Sequence, residues 1–347
     1  MLSTQPIWLF KYLGVKRNKI PVHLKRLFYL SYEDALWDIL KKKNVRQGTK
    51  ILVPDFFCRD VEENIKNHNY KVVYYHIKKG LSADIDNIKE QITKHKPSVV
   101  IVFHPVGITS NLFKDRGWIK FMDNESILIE DCVHRIINPS EIVIYKHNHF
   151  LINSLRKVAP LQGASVYGLK DDLNFDTPPF TQSIFYSLKV NLLWLLMDFS
   201  SSLRQFNLAE KLMIKGYNLI GDSILPAKGF FLFKILEEFL DYDKISKIKI
   251  NQAVLYENML KAVTRNTVAY KKSDFGNMHA WPIILDGKND LKVLEYIRSK
   301  GLIIRFELEE SIWSKNKKIL YLPMEPHINY TEQMKICQIV SEALILT

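Results

Sequence analysis

Cysteine is scarce in this chain of 347 residues: Cys58, Cys132 and Cys337 are the whole complement. The count is odd and no CxxC pair occurs, so neither a disulfide framework nor a zinc ribbon is indicated, and a reducing cytoplasm fits. Long apolar runs are lacking as well. The most apolar stretch, Val190–Met197, is far shorter than the about 20 residues that cross a bilayer, and reads as buried helix or subunit interface. The amino terminus, MLSTQPIWLFKYLG, carries its charges after the apolar stretch and shows no small-residue cleavage site, unlike a signal peptide. Motifs for reading nucleic acid, internal repeats and low-complexity tracts are also missing.

What is present is the composition of an ordinary globular protein. Apolar residues make up 47% and charged residues 25%, a balance that excludes intrinsic disorder. Lysine and arginine number 49 against 37 acids, a formal charge of +12. The basic residues are dispersed, and the one tight run, Lys41–Lys43, closes a helical pattern where cations suit the dipole. A solvated surface explains this better than a nucleic-acid groove. It suits a small anionic partner. At about 150 residues per domain the length predicts one large domain and a smaller one.

The first two-thirds alternates strand and helix signals. Lys50–Val53, Lys71–Tyr75, Ser98–Phe103 and Ser126–Glu130 are strand-length runs, with shorter candidates at Phe150–Asn153 and Ala164–Tyr167. Continuous apolar runs indicate strands covered on both faces, as in a parallel sheet. Helical patterns lie between them at 33–43, 60–67, 85–94 and 115–122. The alternation predicts a layered α/β domain. The last third predicts helices over 227–240 and 244–263, then a strand at Ala280–Leu285 and a helix at Asp290–Lys300. Strands near Leu302–Arg305 and Ile319–Leu322 and a helix from Thr331 complete a smaller α+β unit. The boundary is placed near 210–226, where Gly216, Gly221 and Pro226 cluster, giving domains 1–225 and 226–347.

Ligands of open α/β sheets bind beyond the carboxyl ends of the strands. The polar residues there are Asp55 to Cys58, His104, Asp131 to His134, and Ser154 to Lys157. Asp131 follows an apolar strand, and a carboxylate in that setting needs a cationic or hydrogen-bonded partner. Lys157 stands at another strand end in apolar company, where a desolvated amine becomes nucleophilic. A structural Asp–Lys or Asp–Arg pair fits the same spacing. His147 and His149 form an HxH without a third ligand in sequence reach, so no metal is expected. His104 suits a hydrogen-bonded structural histidine, and Cys132 suits packing.

The ordered series Ser31-Tyr-Glu-Asp-Ala-Leu36, Val53-Pro-Asp-Phe-Phe-Cys58, Glu130-Asp-Cys-Val-His134, Ser154-Leu-Arg-Lys157 and Leu322-Pro-Met324 resembles the DegT/DnrJ/EryC1/StrS sugar aminotransferases. The likeness continues through Ile248–Leu255 and Gly301–Arg305 with Trp313, so it covers roughly residues 30 to 345. It implies fold type I of the pyridoxal 5′-phosphate enzymes: a three-layer α/β/α large domain with a mostly parallel sheet and a small α+β domain. The amino-terminal segment is then expected to pack on the small domain. The resemblance implies Lys157 as the catalytic amine carrying the cofactor as an aldimine, and Asp131 as partner of the pyridinium nitrogen. His134 would lie near the phenolic oxygen, Ser154 and Ser31 toward the phosphate, and Phe57 beside the ring. It further implies glutamate as amino donor, a nucleotide-linked keto-sugar as acceptor, a homodimer, and a role in surface-polysaccharide or secondary-metabolite synthesis. Lys157 favours amino transfer over the family's dehydratases, in which that lysine is a histidine.

Two departures accompany the likeness. Tyr32 and Glu33 replace the glycine and threonine that open the phosphate-holding helix. A carboxylate there repels a dianion by several kcal/mol at about 4 Å. The asparagine-rich segment after the lysine is hard to place, Tyr217-Asn218 being its candidate. These changes raise the alternative of a degenerate relative without the cofactor, serving as a binding or regulatory protein, or of a cofactor enzyme with another reaction.

Overall fold

A computed structural model describes residues 5–179, 184–220, 226–264, 270–285, 289–315 and 317–346. Its centre is a seven-stranded sheet of β1 (Leu24–Tyr29), β2 (Lys50–Pro54), β3 (Lys71–Tyr75), β4 (Val99–Phe103), β5 (Ile127–Cys132), β6 (His149–Asn153) and β7 (Ala164–Leu169). The order is β1-β7-β6-β5-β4-β2-β3. The five strands from β3 to β6 run parallel, and β7 and β1 close the edge antiparallel. Every residue of β4 and β5 is buried, as expected of strands covered on both faces. The helices α1 (Tyr32–Lys42), α2 (Arg59–Asn67) and α3 (Ile85–His95) pack on the sheet, α1 against β1, β6 and β7, and α3 against β2 and β3.

The expected pattern needs three corrections. β1 was missed because Lys25 and Arg26 break its apolar run. Arg26 is buried only because Glu237 at 3.3 Å and Glu238 at 2.5 Å receive its guanidinium. The segment 115–122 forms only a 3₁₀ turn over Gly117–Phe121. Leu302–Arg305 is irregular, and an isolated bridge joins Phe306 to Leu320.

After β7 come α4 (Ile184–Ser202) and α5 (Phe206–Leu219), then α6 (Phe231–Glu238) and α7 (Tyr242–Leu260). Gly216 is helical, within α5, where the Trp194 ring would lie 2.1 Å from an added Cβ. Gly221 lies outside the described residues. The strands β8 (Ala280–Leu285) and β9 (Lys318–Pro323) pair antiparallel. With α8 (Asp290–Ser299) and α9 (Tyr330–Leu346) they bury a second core, which includes Leu294, Ile297, Leu320, Leu322 and Val340. The amino-terminal segment packs beside α6 and α7. Leu13 bridges to Leu240, and the Tyr12 hydroxyl donates to Glu325 Oε2 at 2.9 Å.

No helix among the described residues is long and apolar enough to cross a membrane. The α4 helix nevertheless exposes Phe185, Leu188, Leu192 and Phe199, with Leu203 just beyond it.

Candidate active site

The carboxyl ends of β4, β5 and β6 open on a cavity of about 490 Å³. Asp131, His134, Lys157 and Phe57 all line it, together with Tyr32, Glu33, Arg156, Tyr217, Arg305 and Glu307. A second cavity of about 570 Å³ adjoins it. Lys157, Tyr217, Arg298 and Arg305 face both.

Asp131 sits in the last turn of pleat of β5, opposite Phe103 of β4 and Ile152 of β6. It is buried, and one oxygen accepts the Val133 N–H at 2.9 Å. No cation pairs with it among the described residues. Burial pushes its carboxyl up to about 7, against the Val133 hydrogen bond and the nearby Tyr32 hydroxyl, while the Glu33 charge adds to the rise. The Tyr32 hydroxyl is buried and closes no hydrogen bond of normal geometry.

Lys157 ends the 3₁₀ turn Leu155–Lys157, and its N–H returns to the Ser154 carbonyl at 3.2 Å. The flanking Leu155 and Val158 are core residues. The turn is therefore anchored while Lys157 itself stays half-buried. His279 fixes its backbone from the other side, with Nδ1 3.2 Å from the Lys157 carbonyl. Among the described residues no carboxylate comes within 4.0 Å of the Lys157 amine.

His134 has protein partners at both ring nitrogens, Glu307 at 3.5 Å and the Tyr321 hydroxyl at 3.4 Å. Burial holds its pKa down. Burial would raise Glu307, but Lys157, His134 and Arg305 outweigh it and keep the carboxylate well below its usual range. His279, desolvated and beside Lys157, is held neutral. A tight turn brings this wall together. Gly107, at φ +97°, passes so close that a Cβ would lie 2.4 Å from the Asn277 carbonyl and 2.5 Å from that of His134, an approach only glycine permits.

Two expected residues stand apart. Ser154 is buried at the start of the Lys157 turn, and Ser31 caps α1. Neither lines the cavity. The Ser31 hydroxyl accepts the Asp34 N–H at 3.1 Å and donates to the Asp34 carboxylate at 2.7 Å. The three cysteines are free, and burial raises the Cys58 thiol to about 11, the opposite of an activated thiolate.

Behind Asp131, Glu130 is enclosed by His104 Nε2 at 2.9 Å, His149 Nε2 at 3.2 Å, Arg135 at 3.5 Å and Cys132 Sγ at 3.7 Å. His104, Glu130 and Cys132 come within metal-coordinating reach of one another. The Ser110 and Tyr145 N–H groups, however, donate to Nδ1 of His104 and of His149. That places the ring protons on Nε2, facing the carboxylate, so the histidines offer no lone pairs to a cation. His147 points elsewhere, to Asp172, and the HxH does not converge.

Sequence reasoning missed Arg298, Glu307 and His279. His279 immediately precedes an apolar strand, the same signal that singled out Asp131 at a strand's other end. Glu307 lies in an irregular segment that carries no periodic signal.

No family model matches the sequence, and no curated protein matches it significantly. Solved structures do match in fold. The Streptococcus pneumoniae protein Spr1654 in its PMP form, a sugar aminotransferase by name, is 13% identical with a TM-score of 0.64, covering 95% of this chain and 89% of its own. The histidinol-phosphate aminotransferase of Clostridium acetobutylicum is 12% identical with a TM-score of 0.60, covering 94% and 85%. A DegT DnrJ EryC1 StrS aminotransferase from Brucella abortus is 15% identical with a TM-score of 0.54, covering 91% and 85%. The chain thus has the three-layer α/β fold of these aminotransferases.

The site suits a small aromatic ring with a protonated ring nitrogen. Asp131 is a buried carboxylate without a cation, Lys157 carries an unpaired amine, and both face one space of about 490 Å³.

Proposed function

We propose that the chain is a pyridoxal 5′-phosphate-dependent aminotransferase of the DegT/DnrJ/EryC1/StrS type. Glutamate is the proposed amino donor and a nucleotide-linked keto-sugar the acceptor. One observation carries the reading: Asp131 and Lys157 line the same cavity, and each lacks an ionic partner among the described residues. When bound, the cofactor supplies an electron sink for the carbon that gains or loses the amino group. Asp131 accepts the ring N–H and is returned to its charged form by it. Lys157 holds the cofactor, then takes and gives the proton at the reacting carbon through its amine. His134, fixed between Glu307 and Tyr321, shapes the wall, and Phe57 excludes water. Arg298 and Arg305, which face both cavities, receive the anionic part of the substrate.

The experiment adds the cofactor to purified protein, with glutamate and candidate keto-sugar nucleotides. A visible absorption band that Lys157→Ala removes, and amino transfer that depends on Lys157, support the reading. Absence of any band in the wild type overturns it. The exposed apolar face of α4 supports a homodimer, and the free cysteines support a cytoplasmic location.

The α1 end of the cavity favours a second reading, a relative without the cofactor acting as a binding or regulatory protein. There Ser31 and Asp34 satisfy each other and Glu33 faces inward. It predicts no cofactor affinity and an intact fold in Lys157→Ala.

A further inference from the structure

Arg59, Arg156, Arg298 and Arg305 line the first cavity. Three of these arginines have partners inside the protein. Arg59 Nε donates to Glu63 Oε1 at 2.6 Å, Arg298 Nε donates to the Ile304 carbonyl at 2.9 Å, and Arg305 Nε lies 3.6 Å from Glu307 Oε2. Arg156 has no such partner among the described residues. Its Nε is buried and closes no hydrogen bond, and its guanidinium forms no ion pair. A guanidinium carries five N–H donors and keeps its charge at any working pH. Half-buried and without an acceptor, the one on Arg156 is poised for an anion.

The side chain is nonetheless held in place. Its guanidinium lies over the Tyr217 ring, 4.8 Å from the centroid. Tyr217 is itself fixed, edge-on to the buried Trp194 ring at 5.3 Å and donating its hydroxyl to Gln5 Oε1 at 3.3 Å. The backbone of Arg156 belongs to the 3₁₀ turn Leu155–Lys157, which Leu155 and Val158 anchor in the core. A planar fork on a fixed ring, one residue from the reactive amine, suits the oxygens of a phosphate.

Its surroundings select the anion. Arg298 and Arg305 face both cavities, whereas Arg156 borders the one that holds Asp131. In pyridoxal 5′-phosphate the ring nitrogen stands opposite the carbon that bears the aldehyde, and the neighbouring ring carbon carries the phosphate arm. An amine that takes the aldehyde therefore has the phosphate arm close by, and Arg156 and Lys157 leave the same turn. The amino end of α1 also reaches the cavity, through Tyr32 and Glu33. A phosphate that meets the Glu33 carboxylate needs a cation to offset it.

We propose that Arg156, seated on Tyr217, receives the phosphate of pyridoxal 5′-phosphate and supplies the anchoring that Glu33 weakens at the α1 end. The proposal rests on the reading of Asp131 and Lys157 given above.

Equilibrium dialysis of the cofactor-free protein tests it without any turnover. Affinities are compared for pyridoxal 5′-phosphate and for pyridoxal, which lacks the phosphate. The wild type is expected to prefer the phosphate form. Arg156→Gln is expected to lower that preference at least about tenfold, by weakening the phosphate form while pyridoxal affinity holds. Arg156→Lys, which keeps the charge without the fork, is expected to fall between the two. Tyr217→Ala, which removes the platform, is expected to lower the preference by less than Arg156→Gln does.

A preference in Arg156→Gln that falls less than tenfold overturns the proposal. If the KM for glutamate or for the sugar nucleotide rises instead, the arginine serves a substrate anion. Arg156 makes no hydrogen bond within the described protein, so the variants are expected to fold, and retained pyridoxal affinity checks this. Equal loss of both compounds in Arg156→Gln and in Arg156→Lys also overturns the proposal, because the arginine then acts on the lysine or on the fold. If neither compound binds the wild type, the reading of Asp131 and Lys157 falls as well. If the wild type gives the visible band and Lys157→Ala removes it, but Arg156→Gln leaves the ratio unchanged, only the phosphate role of Arg156 falls.

Discussion

Glu130 and Asp131 are neighbours on β5, both buried, and electrostatically opposite. Glu130 points into a ring of donors. Burial would raise its carboxyl, but His104 and His149 outweigh burial and hold it well below the usual range. Asp131, on the other face of the same strand, has a single backbone donor and is pushed up to about 7. The same residue class, one position apart, serves two ends. The difference lies in charged company: two histidines and Arg135 surround Glu130, while no cation stands beside Asp131 among the described residues.

The largest effect expected is on the amine opposite Asp131. Lys157→Ala should lower amino transfer about a thousandfold or more and remove the visible band given by added cofactor, as read by spectrophotometry. Next comes the contrast itself. Glu130→Gln leaves Arg135, His104 and His149 without a carboxylate and should cost about 3–5 kcal/mol in urea denaturation. Asp131→Asn should leave stability at pH 7 unchanged or improved while lowering turnover about a hundredfold. Equal destabilisation by the two substitutions would erase the distinction.

The same pair should separate by pH. The folded pKa of Asp131, about 7, lies above the ordinary aspartate value of about 3.9. Its folded form therefore keeps a proton that the unfolded chain releases. The stability this lends is complete below about pH 4 and disappears as pH rises to 7, at up to about 1.4 kcal/mol per unit. Denaturation at pH 4.5 and pH 7 should show this slope in the wild type and lose it in Asp131→Asn. Glu130 has the opposite sign, stabilising above the ordinary glutamate range and losing its contribution in stronger acid.

A smaller effect belongs to the turn that joins the two faces. Gly107→Ala, with φ +97° and two carbonyls in the way, should cost about 1–3 kcal/mol in thermal unfolding. The smallest belongs to the surface of α4. Phe199→Ser, at a side chain 62% exposed, should change stability by less than about 0.5 kcal/mol. Light scattering should nonetheless show loss of dimer if that face pairs two copies.

Much of this was legible in the sequence wherever a strand was uniformly apolar. The runs at 98–103 and 126–130 gave β4 and β5 because burial on both faces leaves no room for polar residues. They placed Asp131 and Glu130 at their ends, although the differing fates of the two acids depend on His104 and His149, which reach them from other strands. β1 was hidden because Arg26 looks solvent-bound until Glu237 and Glu238, more than 200 positions away, neutralise it. The turn at 155–157 marked Lys157 through its position after β6. Arg298, Glu307 and His279 are brought to the two adjoining cavities only by the tertiary packing around β8 and β9, which no local pattern records.

The α7 helix carries one last implication. Its first turns, Tyr242 and Ile245, belong to the cluster that anchors Leu155 and Val158 around Lys157, and its later turns, Ala253, Tyr256 and Leu260, belong to the core beneath β8 and β9. Midway, the sealed ammonium of Lys249 grips the carbonyls of His279 and Met324. A rod of nineteen residues, about 28 Å long, thus ties the two halves like an axle. One continuous helix therefore contacts both the cluster under the Lys157 turn and the core under β8 and β9, so a substitution that shifts α7 is felt on both sides at once.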